Sequence, residues 1–182
     1  VDMEYIRNGR ALKNKNIKLT AHPNIFDSKI DCNNISYGCP VSKSALEQQF
    51  ILNLTKDPYF LTKNLCFLGQ IENNSSEDID DSALVYKSPK GLVIITGCSH
   101  SGIINIIEYA KKVTGSNKIF AVVGGLHLLD MKQSKIKEII SYLKKEKVEF
   151  LYPCHCCDLK SKIVMAQELE IKEVCSGDSI SF

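Results

Sequence analysis

From residue 83 to the end of the chain, apolar and polar positions follow two alternating rhythms. Residues 83–87 and 91–96 read as two strands joined by the turn Ser88-Pro89-Lys90-Gly91, which predicts a β-hairpin. Ile103, Ile106, Ile107, Ala110 and Val113 then recur at helical spacing, and Gly115 ends that helix. A buried strand is expected over 119–123. A second amphipathic helix follows over 134–146, capped by Ser134, with Ile136, Ile139, Ile140 and Leu143 inward. Residues 148–152 read as a further strand and 160–169 as a third helix. Alternation of this kind belongs to an α/β fold with a largely parallel sheet.

The first half is less regular. Residues 1–13 read as the tail of a helix through Met3, Tyr5, Ile6 and Leu12, and 17–22 as a half-buried strand halted by Pro23. Ala45, Leu46 and Phe50 give 42–50 a helical spacing, while 32–40 is turn-rich and reads as a loop. A short strand region spans 60–71. The most polar segment, 72–81 (ENNSSEDIDD), is expected to be a surface loop that shapes substrate entry.

Composition narrows the function classes. With 182 residues, 44% hydrophobic and 24% charged, the chain suits a single soluble domain, 1–182. Its net charge is +2, and Lys144-Lys145 with Lys147, and Lys160 with Lys162, read as solvated helix faces, so no nucleic-acid partner is expected. No apolar stretch approaches the roughly 18 residues of a membrane span, and no signal peptide opens the chain. Eight cysteines without an export signal imply reduced thiols and a cytoplasmic location. Cys32, Cys39 and Cys66 read as small apolar residues.

The candidate chemistry lies where three apolar runs end in histidine: GLVIITGCSH at His100, IFAVVGGLH at His127 and FLYPCHC at His155. The spacings are 27 residues (127 − 100) and 28 residues (155 − 127), about one strand-plus-helix unit each. If the units share a sheet, the imidazoles emerge along one rim, where α/β proteins build their sites. Imidazole is the commonest zinc ligand, so a metal centre of His100, His127 and His155 is expected, with Cys98 as a further ligand or merely a wall. In the Cys154-His155-Cys156-Cys157 cluster, alternation along a strand lets His155 plus one or two thiolates reach one ion. A self-contained structural zinc needs a second short-spaced pair, so the site must assemble over long range.

His22, at a strand end, and the pair Asp80-Asp81 are candidates for orienting a ligand or touching substrate. The blander alternatives are a satisfied core histidine and a solvated acidic loop. Neither a GxxxxGK[ST] nor a GxGxxG fingerprint is present. Ser99 stands at the nucleophile place of a GxSxG-like turn, but Ser101 replaces the second glycine, which weakens a hydrolase triad and leaves Ser99 a substrate contact.

Asp80-Asp81 through GLVIITGCSHSGIINII, then KIFAVVGGLHL and YPCHC, together with AHPNIF and LCFLGQIE, resemble metallo-β-lactamase-fold proteins over about residues 1–180. The group most similar is the 7,8-dihydropterin-6-methyl-4-(β-D-ribofuranosyl)aminobenzene-5′-phosphate synthase-like one. The resemblance implies an αββα sandwich with a metal site at one edge, zinc first, manganese or iron as alternatives. It also implies hydroxide attack on an ester or phosphoester of a small molecule, with His100, His127 and His155 matching the family's GCSH, GGxH and final histidine motifs. The family's HxHxDH motif is nowhere in this sequence. The chain therefore resembles the C-terminal two-thirds of a member, an incomplete sandwich lacking its N-terminal part. Three readings stay open: a metal-dependent hydrolase, a non-catalytic remnant or subunit that pairs with a separately encoded N-terminal half or with itself, and a Cys/His redox or iron protein.

Overall fold

The structure is a computed structural model that describes residues 17–30, 36–37, 39–71 and 80–182. The helix expected over 1–13 and most of the polar loop over 72–81 lie outside the described residues. The chain divides after Lys56 into two compact units.

In the first unit, β1 (Lys18–Ala21) pairs in parallel with β4 (Ile51–Leu54), with Lys18 opposite Ile51 and Ala21 opposite Leu54. Pro23 ends β1 as expected and opens a single 3-10 turn, Pro23–Phe26. Between them lie a two-residue antiparallel pair, β2 (Lys29–Ile30) with β3 (Ser36–Tyr37), and one short helix, α1 (Lys43–Glu47). Ser42 caps α1 by accepting the Ala45 N–H, while Leu46 and Phe50 are buried.

The second unit is built on a six-stranded sheet, in the order β10-β9-β8-β7-β6-β5. Strands β5 (Tyr59–Phe60), β6 (Leu65–Phe67), β7 (Ala83–Ser88) and β8 (Gly91–Thr96) pair antiparallel. The β7–β8 hairpin turns through Pro89-Lys90, where the sequence placed it. Strands β8, β9 (Ile119–Gly124) and β10 (Phe150–Pro153) are mutually parallel. Their crossovers are α2 (Ile103–Thr114) and α3 (Gln133–Lys145), and α4 (Leu159–Ala166) follows β10.

One side of the sheet carries the main core. Leu92, Ile94 and Val122 pack with Ile103, Ile106 and Ile107 of α2 and with Ile136, Ile140 and Leu143 of α3. Fully burying each of these branched side chains contributes about 1.5–3 kcal/mol, which is why the helical stripes are also the packed faces. Val93, Phe120 and Ala121 form a smaller cluster with Tyr86, Phe150 and Phe182, and Phe120 meets Phe150 edge-on at 5.2 Å.

Several boundaries differ from the sequence reading: α4 spans Leu159–Ala166 where the sequence predicts 160–169, and residues 36–37, read as loop, form β3. Helix α3 starts at Gln133 with Lys132 at its cap position and no side-chain cap, so Ser134 is a helical residue, not the cap. Strand β10 starts at Phe150, not Val148. Lys147 adopts a left-handed φ of 53°, and the Val148 N–H bonds back to the Leu143 carbonyl, so these residues close α3. Among the described residues no helix is long and apolar enough to cross a membrane.

Candidate metal centre

The register of the parallel strands sets the site. Thr96 lies opposite Gly124 and Gly124 opposite Pro153, so β8, β9 and β10 end on one level. His100, His127 and His155 follow those ends by four, three and two residues. The loops are tied to one another: the Gly125 N–H donates to the Gly97 carbonyl (3.0 Å), Cys154 N–H to Gly124 (3.1 Å), and Leu128 N–H to Cys156 (2.9 Å). Thr96 and Ser99 both donate their hydroxyls to the Gly125 carbonyl, at 2.9 and 2.5 Å.

Two glycines permit this closeness. A Cβ on Gly124, whose φ is 128°, would meet the Thr96 carbonyl oxygen at 2.2 Å; one on Gly125 would meet the Gly97 oxygen at 2.4 Å and Cys156 Sγ at 2.7 Å. Left-handed conformations gather here as well, at Ser99 (φ 64°), His127 (53°) and His155 (53°). Each is strained by about 1–3 kcal/mol and persists only because the surrounding bonds hold it.

The side chains that converge are Cys98, His127 and Cys156, whose ligand atoms all lie within 4.8 Å of one another. Cys98 Sγ is 3.0 Å from Cys156 Sγ and 3.6 Å from His127 Nδ1. The His100 ring stands edge-on to His127 with centroids 4.8 Å apart. Beside the two rings opens a cleft of about 270 Å³, walled by Ile103, Ile104, Leu126, Met131 and Ile139 and edged by Asn105, Lys135 and Glu138. Burial, and then the Cys156 thiol against it, push the Cys98 thiol up to about 12.

The chain that builds this geometry resembles known proteins. It is 28% identical over 198 aligned positions to the 7,8-dihydropterin-6-methyl-4-(beta-D-ribofuranosyl)-aminobenzene-5'-phosphate synthase of Methanocaldococcus jannaschii, matching 93% of this chain and 67% of that protein. The chain has a metallo-β-lactamase-like α/β fold. An uncharacterized protein of the same organism is also 28% identical, over 84% of this chain and 63% of that relative. The fold agrees: the crystal structure of Tm1679, described as a metal-dependent hydrolase of the beta-lactamase superfamily, superposes with a TM-score of 0.81 at 23% identity, covering 94% of this chain and 73% of that one. No family model matches. The chain thus spans about two thirds of the length of the curated relatives it matches.

The residues gathered at this rim fit a metal ion. Two sulfurs and an imidazole nitrogen from three separate loops suit a divalent transition ion, since three protein ligands leave a coordination position open.

Of the positions nominated from sequence, Cys98 and His127 stand in this trio and His100 packs against it. His155 is exposed and lies outside it, and Cys156, one residue on, points a sulfur inward instead. The strand ends at Pro153, and the left-handed turn at His155 breaks the alternation that reserved the inward place for the imidazole. The Asp81 carboxylate accepts the Ser101 N–H at 2.7 Å and anchors the GCSHSG turn, and Asp80 precedes it in the turn before β7. Ser99 is 1% exposed and gives its hydroxyl proton to Gly125, so its oxygen serves the loop junction and is not a free nucleophile. His22 lies in the first unit, buried, its Nδ1 accepting the Asn24 N–H at 3.1 Å to cap the 3-10 turn.

Proposed function

We propose that this protein performs metal-dependent hydrolysis of a small ester or phosphoester, with the metal held where the three strand-end loops meet. The observation that carries the reading is the edge-on packing of His100 on His127, 4.8 Å apart, at the mouth of a 270 Å³ cleft. When bound, a divalent ion supplies Lewis acidity, acidifying water and polarising an ester or phosphoester oxygen. Cys98 and His127 are the donors the geometry favours, and His100 and His155 are the imidazoles on the flanking loops that the sequence adds. Zinc suits this set best, with manganese or iron as alternatives. The apolar cleft walls exclude water from the reacting group, and Lys135, paired with Glu138 at 2.8 Å, offers a cation to an anionic substrate. A cytoplasmic location keeps Cys98 and Cys156 as thiols. The name of the synthase relative suggests a pterin-related phosphate as one substrate to try.

The test is hydrolysis of nitrophenyl esters and phosphodiesters by the metal-loaded chain, by the same chain after chelation, and by His127→Ala. Activity that chelation removes, metal restores and His127→Ala lacks supports the reading; equal rates in all three overturn it.

A further inference from the structure

We propose that Cys98, His127 and Cys156 form a Cys2His centre selective for a thiophilic divalent ion, zinc or ferrous iron, so that the metal of this chain is bound mainly through sulfur. The inference rests on the reading above in placing the metal at this rim, but it exchanges the imidazoles of His100 and His155 for the thiolate of Cys156.

The distances support it. A tetrahedral ion with metal–sulfur bonds of about 2.3 Å and metal–nitrogen bonds of about 2.0 Å has ligand–ligand edges of roughly 3.5–3.8 Å. The Cys98 Sγ to His127 Nδ1 separation is 3.6 Å, and the two sulfurs, at 3.0 Å, need to part by less than one ångström. The sulfurs are too far apart for a disulfide, whose bond is about 2.05 Å.

The loops hold both sulfurs in place. The His127 N–H donates to Cys156 Sγ at 3.2 Å and ties the second loop to that sulfur. Cys98 is half-buried behind the rim, and Gly125, which has no Cβ to strike Cys156 Sγ, lets the third loop close onto the first. His127 holds its left-handed φ of 53° within this closure, so the backbone is strained at one of the three donors themselves. Three protein ligands would leave a fourth position for water or substrate.

The ligand chemistry has consequences. Loading one divalent ion releases two thiol protons and leaves two thiolates and a neutral imidazole, so the centre carries no net charge. An all-imidazole site would keep both positive charges. Thiolates prefer zinc and iron over magnesium, calcium and manganese, which removes manganese from the candidates.

The experiment uses the full chain, prepared with a reductant, stripped of metal and titrated with cobalt(II) and separately with zinc. Sulfur-to-cobalt charge-transfer absorption is expected at one cobalt per chain, and zinc is expected to protect two thiols from Ellman's reagent. These two readouts need no variant and so do not depend on how a variant folds. In Cys98→Ser and Cys156→Ser the charge-transfer intensity falls and zinc affinity drops by more than the roughly 10–100-fold typical of altering a ligand's neighbours. His155→Ala keeps the band. Cobalt bound without charge transfer, with hydrolysis intact, overturns the sulfur centre and leaves the proposed function standing. Charge transfer with no hydrolysis by any metal form upholds the centre while the hydrolase reading fails. No metal bound at all, or a Cys98–Cys156 disulfide that persists under reductant, overturns the centre.

Discussion

Cys98 and Cys156, 58 residues apart in the chain, bring their sulfurs to 3.0 Å because β8 and β10 flank β9 in parallel and end on one level. One residue, Gly125, sits between the loops that carry them, and the absence of its side chain is what allows the approach.

Gly125→Ala is therefore expected to force apart the Gly97 carbonyl and the Cys156 sulfur, which would lie 2.4 and 2.7 Å from the new Cβ. Overpacking of this kind destabilises by about 1–3 kcal/mol. The urea midpoint should fall and zinc binding should weaken in the same variant. A wild-type midpoint would show that the loops yield freely.

Asp81 ties the start of β7 to the GCSHSG turn through the Ser101 N–H at 2.7 Å. Asp81→Ala leaves that part-buried donor without its partner, at about 1–3 kcal/mol. Asp81→Asn keeps an acceptor oxygen and should recover much of the loss. Denaturant unfolding of the pair checks this; equal losses would mean that charge, not the hydrogen bond, matters.

A cluster on the helical side gives a pH dependence. The Glu108 carboxyl is held below the usual carboxylate range, first by the Tyr142 hydroxyl that it accepts and then by Lys111, which also pairs with Glu146. A depressed folded-state pKa contributes stability that is present above the unfolded value of about 4.3 and is lost as pH falls through the folded value. The wild type should thus lose its advantage over Glu108→Gln as pH falls below about 4.3 and through the folded value. Glu108 is 55% exposed, so the advantage should be small and shrink with salt. A constant difference across that range would refute the assignment.

Ile107 is fully buried on the α2 face that packs against the sheet behind the GCSHSG turn. Ile107→Ala should cost about 2–5 kcal/mol, including the cavity left behind. Circular dichroism during urea unfolding measures it. A loss below 1 kcal/mol would mean that the helix relaxes onto the sheet.

Much of the second unit was legible from the chain because its signals are local. Leu92, Val93 and Ile94 are buried between neighbouring strands and read as an uninterrupted apolar run; Ile103, Ile106, Ile107 and Ala110 face one way and read as a stripe. The first unit was harder to read, since β2 and β3 have two residues each and leave no periodicity to detect.

Sequence alone determined the alternation of strands and helices from residue 83 onward and the three strand-end loops that carry His100, His127 and His155, since burial imposes its period directly on residue order. Only the tertiary structure decided which donors meet. That the Cys156 sulfur, and not its neighbour His155, stands beside Cys98 and His127 depends on a left-handed turn at His155, on a missing Cβ at Gly125 and on the His127 N–H reaching across to sulfur. Those are contacts between loops about thirty residues apart, and nothing in the local order of Cys154-His155-Cys156-Cys157 records them.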